Sequence, residues 1–198
     1  GYDIVGMDFI EVAVSKLKEI DPDLQVEVGD ITNLKYSDQS FKYVLAFGLY
    51  HNLGGEALDK AFAETFRVTA QGGSVCASFR ADNLQTRLTD WLADRRAKKS
   101  GLDNEAREFH KMNLTRAEFQ AYFKRVGFEV LETFPVENMP IIYKFAFFRA
   151  SSHKIFDENR ARKEGYQLSW MGKLLQRFLI RFFPDQICNI FVVIARKP

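Results

Sequence analysis

The sequence predicts an α/β fold built on a mainly parallel sheet with helices on both faces. Short apolar runs alternate with amphipathic stretches over residues 2–134. The intervals between most of these runs leave the dozen or so residues that a parallel crossover requires. Two of the runs end in Gly29-Asp30 and Phe47-Gly48, small or acidic residues rather than ordinary turn formers. In an open parallel sheet the carboxyl ends of strands are where ligands bind.

The elements follow in order. "YDIVGMD" (2–8) and "LQVEVGD" (24–30) read as strands. Between them "EVAVSKLKEI" repeats Val12, Val14, Leu17 and Ile20 roughly on one helical side. "FKYVLAFG" (41–48) is a third strand. "GGEALDKAFAETFRV" places Leu58, Phe62 and Phe66 four apart on a helix, and "AQGG" then turns the chain into a strand at 74–81. After it a helix opens on Asp82 or Asn83 as cap and carries an apolar stripe of Leu84, Leu88, Trp91 and Leu92, followed by a polar loop at 97–114. "LTRAEFQAYFKRVGF" holds a capping box, Thr115 with Glu118, and a Gly127 stop. Strands at 128–134 and 189–197 close the chain, and the segment between them, 138–187, is too long for a hairpin loop and reads as an inserted cap. One domain spanning 1–198 with that insertion accounts for the whole.

Composition narrows the class. With 46% apolar and 14% aromatic residues, 198 residues build a sizeable core. A net charge of +2 excludes the strongly basic balance of a nucleic-acid binder, but the charge is uneven. Residues 1–134 hold 17 Lys and Arg against 21 Asp and Glu, whereas 135–198 hold 11 against 5. Cys76 and Cys188 lie in apolar runs with no Cys or His at metal-ligand spacing and read as buried free thiols, and no metal site is expected. No signal peptide opens the chain, and the apolar runs fall short of the ~20 residues that span a bilayer, so a soluble, cytoplasmic protein is the expectation.

The strand ends carry the candidate chemistry. Asp8 offers a carboxylate to both hydroxyls of a ribose, or serves as a helix N-terminal acid. Asp30, followed by Ile31, suits the edge of an adenine, with Phe9 and Ile31 able to pack on its faces; an Asx turn is its alternative. His51, just past the third strand, is placed either as a general base or as packing against a ligand's edge. His110 and His153 have no partner at a diagnostic spacing and read as surface or loop residues.

These residues and the motifs around them resemble class I S-adenosylmethionine-dependent methyltransferases, in particular the small-molecule branch of the type 11 domain. The resemblance rests on Asp8, Gly29-Asp30-Ile31, Phe41-Lys42, the helix from Glu64 to Val68, and Gly72-Gly73, with "GFEVLETF" and "NIFVVIARKP" matching the closing elements. It implies a Rossmann-like, doubly wound sheet with an antiparallel C-terminal strand. It implies S-adenosylmethionine as cofactor, S-adenosylhomocysteine as product, and a small-molecule acceptor. Asp8 would bind the ribose hydroxyls, Asp30 and Ile31 the adenine edge, and Phe47 and Gly48 would lie along the methionine part. Glu64 and Arg67 are expected to form a structural pair. Lys42 departs from the family's usual Asp.

A larger departure lies at the front, because the family's first strand and its Gly-x-Gly-x-Gly loop have no counterpart in residues 1–198. That strand would stand between 2–8 and 41–47, so two facing edges are expected, and cofactor binding by this chain is expected to be weak. The insertion interleaves aromatics with Lys and Arg, which suits an apolar, lipid-like or anionic acceptor. Within it, 172–183 combines an apolar side of Leu174, Leu175, Phe178, Leu179 and Phe182 with Lys173, Arg177 and Arg181. The expected role is a lid helix packed on the core, with membrane-surface contact as the alternative. Two other functions compete. A nicotinamide-dependent oxidoreductase lacks the Tyr-x-x-x-Lys pair it would need, and a non-catalytic binding module is compatible with the absent glycine loop. Oligomeric state is not legible.

Overall fold

The computed structural model describes residues 3–99 and 112–198. Most of the polar loop predicted at 97–114, with His110, lies outside them. The first unit is β1 (Gly6–Asp8), α1 (Glu11–Ile20) and β2 (Val26–Val28), with β1 and β2 parallel and Asp8 opposite Val28. The second is a sheet of four strands in the order β3-β4-β6-β5, formed by β3 (Phe41–Ala46), β4 (Thr69–Arg80), β5 (Glu129–Val136) and β6 (Ile190–Arg196). β3 and β4 run parallel, and β6 runs antiparallel to both β4 and β5. Among the described residues no ladder joins β1 to β3, so two strand edges are left open as the sequence suggests.

The helices form where capping and apolar spacing agree. α2 (Gly55–Val68) buries Leu58, Ala61, Phe62, Thr65 and Val68 against the large sheet, each full aromatic burial contributing roughly 2–3 kcal/mol. α3 (Leu84–Lys99) starts at Asn83, whose Oδ1 accepts from the Thr86 amide at 2.9 Å. α4 (Arg116–Val126) has the full capping box of Thr115 and Glu118 and stops at Gly127 with φ of 106°. Phe62 is the hub of the core, stacked on Tyr50 at 4.5 Å and meeting Phe123 edge-on at 5.0 Å.

The insertion folds as three short 3₁₀ turns followed by α5 (Glu158–Glu164), α6 (Trp170–Phe182) and α7 (Pro184–Ile187). It has its own small core of Ile141, Ile142, Tyr143, Ala161 and Leu168, with Leu175 and Leu179 packed against it.

Several expectations need correction. The first two strands are three residues each, because only that much of β1 and β2 pairs. The "AQGG" turn lies inside β4. Phe41 pairs with Thr69 but Tyr43 with Ser74, so Ala70–Gly73 bulge out of the ladder. Gly73 is needed there, since a Cβ would lie 2.8 Å from the Ala70 carbonyl oxygen and 2.9 Å from that of Lys42. On α1 only Val14 is buried, and Val12, Leu17 and Ile20 are exposed. On α3 the stripe of Leu84, Leu88 and Trp91 faces outward, while Gln85 and Thr86 are buried.

Two further readings change. His153 is not a surface residue. It is buried, with Nδ1 2.7 Å from the Tyr143 hydroxyl and Nε2 3.0 Å from Glu164. Since a carboxylate only accepts, Nε2 carries a proton and donates to Glu164. α6 is only partly the packed lid expected: its Gly172, Leu175, Gln176 and Leu179 side faces the cap, but Leu174, Phe178 and Phe182 do not.

Candidate functional site

Asp8 and Asp30 stand at adjoining ends of parallel strands. The Gly29 amide donates to the Asp8 carbonyl oxygen at 3.0 Å, which sets the two chain ends side by side. Each carboxylate uses one oxygen locally. Oδ1 of Asp8 accepts from the Ile10 amide at 2.8 Å, and Oδ1 of Asp30 accepts from both the amide and the hydroxyl of Thr32 at 2.8 Å. The Asx-turn reading of Asp30 is therefore realised, whereas Asp8, read as a helix N-terminal acid, closes a similar turn two residues before the Ile10 cap of α1. Each turn leaves an outward Oδ2 that no donor reaches among the described residues, and both side chains are accessible. Phe9 is exposed next to Asp8, and Ile31 is half-buried against the main core.

The segment behind Asp30 is fixed by Arg67. All five of its N–H donors are used: on Glu64 twice, on Asp38, and on the carbonyl oxygens of Leu34 and Tyr36. Glu64 also accepts from the Leu34 amide at 2.7 Å. The Arg67 contact holds the Glu64 carboxyl below its usual range. Glu64 and Arg67 are thus the structural pair expected. Glu27 bonds to Lys35 and Tyr36 and ties β2 to the same segment.

At the end of β3, Phe47 is exposed and Gly48 adopts φ of 68°, its amide donating to Ser78 Oγ at 3.1 Å. Open space lies where a Gly48 Cβ would be. The chain then makes a 3₁₀ turn, Tyr50–Asn52. Tyr50 points inward, its hydroxyl 2.7 Å from Thr65 Oγ1, and His51 is carried to the opposite side, edge-on to Phe79 at 6.4 Å.

His51 lines a cavity of about 180 Å³ with Arg80, Gln85, Thr86, Met139 and Ile141. For scale, ~150 Å³ accommodates benzene. Arg80 is paired with Asp90 at 2.6 Å. The Gln85 amide nitrogen faces the Met139 carbonyl oxygen at 3.5 Å, and its Oε1 is buried with no hydrogen-bond partner among the described residues. The cavity sits at the carboxyl end of β4, roofed by the start of the insertion.

The structure therefore brings Asp8 and Asp30 together on one unit, and Phe47, Gly48 and His51 together on the other. Sequence reading missed Arg80, Gln85 and Met139. The polar Gln85-Thr86 pair on the helix side away from Leu84 and Leu88 was the available signal. Burial pushes both the Cys76 and Cys188 thiols up, Cys188 to about 12, which disfavours the thiolate at each. Among the described residues no group of three His, Cys, Asp or Glu side chains is placed to hold a metal, and no helix is long and apolar enough to cross a membrane.

Residues 1–73 match the family model described as a methyltransferase domain. Solved structures share the fold across nearly the whole chain. A Methanosarcina mazei S-adenosylmethionine-dependent methyltransferase matches with a TM-score of 0.60 at 15% identity, covering 100% of this chain and 82% of that one. An Archaeoglobus fulgidus counterpart matches with 0.59 at 13% identity, covering 98% and 75%. A chain of the Haloferax volcanii complex containing the Trm112 methyltransferase activator matches with 0.63 at 14% identity, covering 98% and 71%. No curated protein matches by sequence.

Proposed function

We propose that this chain is a class I S-adenosylmethionine-dependent methyltransferase that moves a methyl group to a small-molecule acceptor, a reading supported by the methyltransferase-domain match over residues 1–73 and by the shared fold. The observation that carries the reading is the pair of carboxylates, Asp8 and Asp30, on adjoining parallel strand ends with one oxygen each turned outward.

The residues present fit the cofactor. Asp8 would accept from the ribose hydroxyls, and Asp30 with the exposed Phe9 and half-buried Ile31 would hold the adenine. Gly48, open where a side chain would stand, leaves room for the methionine part beside Phe47. Bound there, the cofactor supplies a sulfonium methyl group as electrophile. The protein's contribution is alignment, holding the acceptor's nucleophile in line behind that methyl carbon. His51 is the candidate base for an acceptor that arrives protonated, and it faces the cavity where the acceptor would sit. Met139 and Ile141 form that cavity's apolar wall. Gln85 Oε1, the acceptor atom without a partner in its wall, favours a substrate carrying a hydroxyl or amine donor.

Ligand-observed NMR with millimolar S-adenosylhomocysteine tests the placement. Saturation transfer to the adenine protons is expected in the unmodified protein and lost in Asp8→Asn/Asp30→Asn. An unchanged signal in that variant refutes the assignment. A screen of hydroxyl- and amine-bearing acceptors with labelled S-adenosylmethionine then tests turnover.

A further inference from the structure

α6 exposes an apolar stripe bordered by cations. Trp170, Leu174, Phe178 and Phe182 fall at four-residue spacing and are 74%, 62%, 52% and 62% exposed. Lys173, Arg177 and Arg181 follow the same spacing along one border of the stripe. All three are exposed, and none takes part in an ion pair among the described residues. The opposite side of the helix is already used. Gly172 brings α6 so close to the preceding turn that a Cβ would lie 2.5 Å from the Phe148 carbonyl oxygen, and Leu175 and Leu179 pack on the cap's core. The outward side is thus held rigidly in place, and rotation of the helix cannot bury it.

Beside the stripe runs a groove of about 580 Å³ lined by Phe148, Trp170, Met171, Leu174, Leu175 and Phe178. The exposed Phe147 stands on the turn that α6 packs against. The surrounding segment carries the chain's cationic excess, 11 basic against 5 acidic residues over 135–198.

We infer that α6 is a docking surface for anionic lipid, lying flat in the headgroup region with Trp170, Leu174, Phe178 and Phe182 inserted and Lys173, Arg177 and Arg181 on the phosphates. At thirteen residues it is ~20 Å long, which suits an in-plane helix and is too short for a bilayer core of ~30 Å. Charge selects this occupant over a second copy of the chain. Two such helices face to face would set six cations along one seam with no acid on either outward side. This inference is independent of the methyl-transfer reading.

Co-sedimentation with lipid vesicles decides it. The purified protein is expected to pellet with vesicles containing phosphatidylglycerol, to stay in solution with phosphatidylcholine alone, and to be released by high salt. Lys173→Gln/Arg177→Gln/Arg181→Gln should weaken binding roughly 100-fold, at about fivefold per cation. Leu174→Ser/Phe178→Ser, changing side chains that are already exposed, should abolish insertion with the helical circular dichroism unchanged. In a Trp91→Phe background Trp170 is the single tryptophan, and its emission should shift to the blue on binding. Protein that stays in solution with the anionic vesicles, or binds neutral ones equally, overturns the inference. So does a dimer in light scattering that Leu174→Ser/Phe178→Ser dissolves.

Discussion

The hydrogen bond between Tyr50 and Thr65 yields a prediction with a sign and a size for each variant. Thr65 Oγ1 donates to the Ala61 carbonyl oxygen at 2.8 Å, so the Tyr50 hydroxyl must donate to Thr65. Both side chains are fully buried. Tyr50→Phe removes a donor but leaves Thr65 bonded to Ala61, and should cost about 1 kcal/mol. Thr65→Val strands the phenol without an acceptor. It should cost about 2 kcal/mol, or about 4–8 °C in Tm for a chain of this size. The double variant removes both polar groups and should cost about 1 kcal/mol less than the two singles combined. Urea unfolding followed by tryptophan fluorescence measures all three. Burial also pushes the Tyr50 hydroxyl up to about 12 from an ordinary 10. Its folded pKa is raised, so its contribution is complete below pH 10 and is lost as pH rises from 10 through about 12. Tyr50→Phe should therefore show a shallower alkaline loss; Tyr36, pushed up likewise, keeps a part of it. Additive single and double costs, with identical alkaline profiles, would refute the reasoning.

Other outcomes follow from the same geometry. Gly73→Ala forces a methyl group against two carbonyl oxygens of a packed bulge and should lower stability by about 1–3 kcal/mol in the same urea assay. Arg67→Met frees the segment behind Asp30, and hydrogen exchange at the Leu34 amide should accelerate while amides of β6 stay protected. The Glu64 carboxyl is held low by Arg67, so its contribution is complete above its unfolded pKa. Protection of Leu34 should fade as pH drops from about 4.5 through the lower folded value, and an acid-insensitive Leu34 would contradict the assignment. Calorimetry with S-adenosylhomocysteine should register no micromolar binding, because β1 and β3 share no ladder; a micromolar constant would show that the open edges do not matter.

The parts of the fold legible in the sequence were those where local and tertiary signals coincide. Thr115, Glu118 and Gly127 bound a helix whose Phe119 and Phe123 are buried, and Leu58 and Phe62 mark the packed side of α2. Periodicity failed where an apolar stripe faces outward. Leu84, Leu88 and Trp91 read as one stripe, and Val12, Leu17 and Ile20 as one side, yet all are exposed, because spacing reports a helix side but not what covers it. His153 was illegible for a different reason. Its partners Tyr143 and Glu164 stand ten residues before and eleven after it, a separation that no local pattern encodes. Asp8 and Asp30 were legible as a pair because strand ends are sequence features. The cavity with Gln85 was not, since Gln85 and Met139 are joined only by the insertion's return to β6.

The open seam between the two sheets has a thermodynamic consequence. The unit of β1, α1 and β2 is attached to the rest through the 29–40 connector, pinned at one end by Glu27 and at the other by Arg67. A unit tied in by so few contacts would open below the energy of global unfolding. A ligand whose adenosine end sits on that unit and whose sulfur end sits on the larger sheet would act as a cross-link between two cooperative bodies. Its observed dissociation constant would be the intrinsic one divided by the fraction of time the bodies stand in register. Affinity for such a ligand would then gauge the alignment of the two sheets, and a contact that stiffens the connector would tighten binding without touching the ligand.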